Sequence, residues 1–132
     1  MPKPISAADA TPVRVAIVTL DSHLSSAATR AQQALRSEIP GLTLRVHAAA
    51  EWGEDAAALE HCKADIARAD IVVATMLFLQ DHIRTIVPAL QARRDHCDAM
   101  VACMSAGEVM KLTRLGRFSM DKEARGPMAL LK

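Results

Sequence analysis

Three short apolar runs, Val13 to Leu20, Ile71 to Met76 and Met100 to Met104, stand between segments patterned for helices. None of the three alternates apolar with polar residues, which is how a strand reads when helices cover both its faces. A fourth segment, Leu42-Thr43-Leu44-Arg45-Val46-His47, does alternate and predicts an edge strand with one wetter face. Leu24, Ala28, Ala31 and Leu35 make a helical stripe closed by Pro40-Gly41, and Leu59, Cys62, Ile66 and Ala69 make a second. Ile83, Ile86, Val87 and Leu90 make a third, in which Pro88 is expected to kink or restart the helix. A fourth stripe, Val109, Leu112 and Leu115, begins near Ser105.

The resulting order, β-α-β-α-β-α-β-α, predicts right-handed βαβ units in a three-layer α/β domain. The expected architecture is an open parallel sheet of flavodoxin-like or Rossmann-like type with strand order 2-1-3-4. Nothing after Met104 reads as a further strand, so the sheet is expected to lack its last strand or strands. An apolar strand at an open edge invites pairing with another chain. The expectation is therefore either a front piece of something longer or a dimer through the exposed edge. By composition, residues 1–12 form an N-terminal arm, 13–116 the α/β domain, and 117–132 a basic connecting segment ending in Met128-Ala129-Leu130-Leu131-Lys132, which reads as a helix just starting.

Length and composition narrow the class. A chain of 132 residues has room for one domain, and with 51% hydrophobic but 2% aromatic residues its core must be aliphatic. Charge is nearly balanced, with 16 Lys and Arg against 15 Asp and Glu, so no general attraction to nucleic acid follows. Residues 111–132 are the exception, carrying six basic and two acidic side chains. The arm lacks the apolar stretch of a signal peptide, and no run approaches the roughly 18 apolar residues of a membrane span. Cys62, Cys97 and Cys103 form no CxxC pair and read as reduced thiols of a cytoplasmic protein, two of them in the core. His61-Cys62 and His96-Cys97 are adjacent pairs whose side chains diverge on a helix, so no metal site is assigned.

In open parallel sheets, ligands bind at the carboxyl ends of the strands, near the point where strand order reverses. The loops arriving there carry Asp21-Ser22-His23, Gln80-Asp81-His82 and Ser105-Ala106-Gly107-Glu108. Asp21, His23, Asp81, His82, Ser105 and Glu108 are thus the candidate ligand-facing rim. The competing reading is helix capping by Asp21 or Ser22, Asp81 and Ser105, the last with Glu108 in a capping box. No catalytic residue is assigned. GxGxxG, GxxxxGK[ST] and GxSxG are all missing, and Thr75-Met76 stands where a receiver domain needs Asp. Without Tyr, and with its one Trp52 in a polar connection, the chain has no stacking platform for flavin or single-stranded nucleic acid. Asp21-Ser22-His23-Leu24-Ser25-Ser26 resembles the DxHxxG loop of cobalamin-binding domains, with Ser26 in place of the glycine; cobalamin is the alternative ligand.

A fuller resemblance begins at Phe78-Leu79-Gln80-Asp81-His82-Ile83 and runs through Pro88-Ala89-Leu90, Arg93-Arg94-Asp95 and Cys97-Asp98-Ala99-Met100. It continues in Met104-Ser105-Ala106-Gly107-Glu108-Val109, Lys111-Leu112-Thr113 and Gly116-Arg117-Phe118, with Val18 to Leu24 matching as well. Together these pieces resemble the amino-terminal region of the large, porphyrin-binding subunit of magnesium chelatase, over residues 13–132. The resemblance implies a role in ATP-dependent insertion of Mg²⁺ into protoporphyrin IX in chlorophyll or bacteriochlorophyll synthesis. Its implied partners are the remainder of a much longer subunit, two smaller AAA+ ATPase subunits that hold the ATP, and protoporphyrin IX. No cofactor and no activity are expected of this chain by itself, and a structural, lid or docking role is expected before catalysis. A porphyrin presents an apolar disc and two propionates, so Arg114, Arg117 and Arg125 are the candidate propionate or partner contacts.

Overall fold

The computed structural model describes residues 11–120. Its elements are β1 (Val13–Thr19), α1 (Ser25–Leu35), β2 (Leu42–Ala48), α2 (Ala56–Arg68), β3 (Ile71–Thr75), α3 (Gln80–Arg94), β4 (Ala99–Cys103), α4 (Gly107–Met110), β5 (Arg114–Leu115) and β6 (Phe118–Ser119). One sheet takes them in the order β2-β1-β3-β4-β5-β6. The four longer strands are parallel and stand in the expected 2-1-3-4 order, with β2 at the edge. The Asp55 side chain starts α2 by accepting from the amides of Ala57 (3.1 Å) and Ala58 (3.2 Å). Helix α3 runs from Gln80 to Arg94 as one element with Pro88 inside it, so the helix does not restart there.

Two expectations fail at the far edge. The β4 edge is not open, because β5 and β6 form an antiparallel hairpin against it. The sheet thus does not stop at four strands, and the open-edge ground for a dimer disappears. The fourth helical stripe is also shorter than expected: α4 ends at Met110, and Leu115 sits in β5. Gly116, at φ +58, opens the two-residue turn to β6, a conformation that suits glycine and makes a tight hairpin. The hydroxyl of Thr113 fastens this hairpin, accepting from the Ala102 amide at 2.9 Å and donating to the Ala102 carbonyl at 3.0 Å. The proposed boundary at 116–117 falls inside the turn, and the sheet extends to Ser119.

The two sheet faces are unequal. Ala16 and Val18 of β1, Val72 and Ala74 of β3, and Met100 and Ala102 of β4 point to one side, and all are buried. They share the core with Cys62 and Ile66 of α2 and Ile83, Ile86 and Leu90 of α3. The two buried cysteines, Cys62 and Cys97, fulfil the expectation for core thiols. The alternate residues, Val15, Ile17, Ile71, Val73, Ala99 and Val101, point to the other side and are only half-buried. Right-handed crossovers place α1 on that second side. None of its residues is fully buried, and its packing is mainly against β2.

Candidate functional site

The carboxyl ends of β1, β3 and β4 gather the predicted loops at one rim, where Asp21 and Ser105 serve the fold. Asp21 caps the 3-10 turn Ser22–Leu24: its carboxylate accepts from the His23 amide (3.1 Å) and also faces His23 Nδ1. Those bonds, the backbone one foremost, hold its carboxyl below the usual range. Asp81 is not an N-cap. Leu79 occupies that position, and Asp81 stands exposed in the first turn of α3, where a negative charge complements the helix dipole. His82 turns inward: its Nδ1 is buried with no protein partner, and its ring meets Trp52 edge-on, centroids 5.9 Å apart. Trp52 is therefore a core residue under the rim and not part of a polar connection.

Ser105 corrects the capping-box reading. Ala106 is the N-cap of α4, without any side-chain bond, and Glu108 is exposed in its first turn. The buried Ser105 hydroxyl instead accepts from the Leu77 amide at 3.1 Å and donates to the Cys103 carbonyl at 3.0 Å, joining the β3 and β4 loops. Two further bonds tie the same loops, Met76 N to Met104 O (2.9 Å) and Ala106 N to Leu77 O (3.0 Å). Both methionines lie in the left-handed region, Met76 at φ 61 and Met104 at φ 47. Each such residue costs about 1–2 kcal/mol relative to ordinary backbone, and the cross-loop bonds hold it there. The rim presents three large apolar side chains outward, Phe78, Leu79 and Met104 at 55%, 56% and 66% exposed, beside the exposed His23, Asp81 and Glu108.

The basic candidates divide. Arg114 donates through Nε to the Arg94 carbonyl (3.1 Å) and through Nη2 to the Cys97 carbonyl (2.7 Å), and it lies 3.9 Å from Asp95. It thus caps the end of α3 and anchors the hairpin. Arg117 is exposed in the hairpin turn, and Arg125 lies outside the described residues. Burial pushes the Cys62 thiol up to about 12 and raises Cys97 as well, while Cys103 is exposed. Among the described residues, no group of three His, Cys, Asp or Glu side chains is arranged to hold a metal ion. No described helix is long and apolar enough to cross a membrane.

One polar cluster escaped the sequence reading. His47 Nε2 lies 2.7 Å from Asp65 Oδ2, both side chains only 12% and 11% exposed. Arg68 (3.3 Å) and Arg45 (3.6 Å) approach the other carboxylate oxygen. The cluster lines a groove of about 450 Å³ between β2 and α2, together with Glu51, Trp52 and His61. The available signal was spacing: Arg45 and His47 alternate on one face of the edge strand, and His61, Asp65 and Arg68 recur at helical intervals.

Comparison with known proteins places these features in a family. Residues 14–132 match the model of a domain of unknown function, DUF3479. The chain is 48% identical over 118 residues to the magnesium-chelatase H subunit of Cereibacter sphaeroides and 44% identical over 118 residues to that of Rhodobacter capsulatus. Each alignment covers 89% of this chain and 10% of the relative. The chloroplastic ChlH subunit of the magnesium chelatase of Oryza sativa is 27% identical over 113 residues, 83% of this chain and 8% of its own length. The chain thus spans about a tenth of the relatives it matches. It belongs to the DUF3479 family and corresponds to the amino-terminal region of the magnesium-chelatase H subunit.

Proposed function

We propose that this domain serves as a structural, lid or docking module of a porphyrin-handling magnesium chelatase subunit. In that setting Mg²⁺ and protoporphyrin IX are substrates, and ATP is hydrolysed on partner subunits. The observation that carries the reading is the division of the rim: Ser105 and His82 are turned inward, whereas Phe78, Leu79 and Met104 are turned outward. A well-tied rim with three large exposed apolar side chains suits contact with a protein surface or a porphyrin face.

The test uses the intact subunit with Phe78→Asp and Met104→Asp. A docking or lid role predicts a fall in the Mg²⁺ insertion rate with the dissociation constant for protoporphyrin IX, read from the Soret shift, unchanged. An equal loss of porphyrin affinity would replace it with direct porphyrin contact. The same titration of the 132-residue chain with cobalamin answers the Asp21-Ser22-His23 alternative; a spectral response there, and none to porphyrin, would overturn the proposal.

A further inference from the structure

Arg45 and His47 of β2 are the register partners of Ala16 and Val18 of β1, so they stand on the sheet face that α2 covers. Helix α2 lines the same groove with His61, Asp65 and Arg68. Space remains between the two elements because Ala48, Ala58 and Ala64, which also line it, are too short to fill it. The resulting volume, about 450 Å³, falls within the range of small-molecule sites, about 300–1,000 Å³. The groove reaches Glu51 and Trp52, past the carboxyl end of the edge strand, and that end of an open parallel sheet is where ligands bind.

The charges in the groove exceed what the fold needs. The bond of 2.7 Å between His47 and Asp65 joins strand to helix without help from either arginine. Arg68 reaches Asp65 Oδ1 through one contact at 3.3 Å and Arg45 through one at 3.6 Å, and neither is a two-pronged pair. Their side chains are 64% and 63% exposed, so these contacts add little stability. One carboxylate therefore faces two guanidiniums, each with five N–H groups, most of them without an acceptor among the described residues. Glu51, the other acid of the groove, is paired with neither arginine. A smaller adjoining groove, about 140 Å³, shares Arg45, Asp65 and Arg68 and adds Arg14, which has its own partner in Asp70 at 3.7 Å. We propose that the groove binds a small organic oxyanion, its phosphate or carboxylate group held by Arg45 and Arg68 and its body packed against the three alanines. Asp65, held by His47, tethers both guanidiniums there. The inference does not depend on the role given to the rim.

Trp52 lines the groove and is the one tryptophan of a chain without tyrosine, so a single indole N–H resonance reports on the site. The 132-residue chain is titrated with phenyl phosphate, benzoate and benzylamine, which share a ring and differ in charged group. Sodium chloride at matched ionic strength is the control. The expected result is a saturable shift of the Trp52 resonance by an oxyanion, with a dissociation constant of about 1 mM or below for a ligand of about ten heavy atoms. The tighter of phenyl phosphate and benzoate names the anionic group. Arg68→Ala, and independently Arg45→Ala, should weaken binding by about tenfold or more through loss of a charge-assisted hydrogen bond. Ala64→Leu should abolish it by filling the groove; position 64 is exposed on α2 and leucine suits a helix, so the fold is kept. Shifts no larger than those of sodium chloride, saturation by benzylamine alone, or oxyanion binding unchanged in both arginine variants each overturn the proposal.

Discussion

Replacing Ser105 by alanine separates the observed role of this hydroxyl from a capping role. In the structure Ser105 Oγ is the acceptor for the buried Leu77 amide and a donor to the Cys103 carbonyl. Removing it leaves the Leu77 N–H without a partner in a site closed to water, a loss of about 1–3 kcal/mol, with about 2 as the working figure. For about 110 ordered residues the unfolding entropy is roughly 0.23 kcal/mol per degree, so the midpoint temperature should fall by roughly 9 °C. Glu108 is exposed in the first turn of α4, so Glu108→Ala should cost no more than about 0.5 kcal/mol. Urea denaturation of both variants, checked by thermal melts, gives the comparison. Equal losses for the two variants, or a Ser105→Ala loss under about 0.5 kcal/mol, would refute the assignment of Ser105 as the clip between the β3 and β4 loops.

Four further outcomes follow from the same geometry. Gly116→Val puts a β-branched residue at φ +58 and should destabilise by about 1–2 kcal/mol in urea denaturation, with the hairpin amides losing hydrogen-exchange protection first. Asp65→Ala leaves the half-hidden His47 without its carboxylate and should cost about 2 kcal/mol; Arg45 and Arg68, each more than 60% exposed, add little. Cys103 should react with a thiol reagent in the native chain, whereas Cys62 and Cys97 should react only on unfolding. The Cys62 thiol is raised from 9.0 to about 12 in the fold, so the unfolded chain loses its proton first and stability should fall as pH rises across that interval. Cys62→Ala, or Cys62→Ser if the cavity proves too costly, should flatten that decline in a pH series of melts.

The sequence made the four long strands and their order legible because each run is short, apolar and flanked by helical periodicity. It did not disclose the hairpin, since Arg114-Leu115 and Phe118-Ser119 are too short for any period to register, and Leu112 and Leu115 mimic a helical stripe. Ser105 with Glu108 satisfied the spacing of a capping box, yet the pull of two adjoining strand ends redirected the hydroxyl across the loops. Trp52 read as polar from its neighbours Glu51, Gly53 and Glu54, whereas tertiary packing buries it against His82. Arg114 looked free to meet an anion because the carbonyls it caps, those of Arg94 and Cys97, lie 20 and 17 residues away. The His47–Asp65 contact likewise joins two elements: spacing groups the residues within each element, but it does not show that the two groups meet. Local signals thus located the rim, but long-range bonds decided which of its groups face outward.

The most direct measurement compares the intact chelatase subunit with one lacking residues 11–120, following protoporphyrin IX binding by fluorescence quenching and Mg²⁺ insertion with the ATPase partners present. A module that docks or covers predicts porphyrin affinity within about threefold of the intact subunit and an insertion rate lowered by tenfold or more, a gap of about 1.4 kcal/mol at the transition state. Loss of porphyrin binding together with the domain, or full insertion without it, contradicts the account.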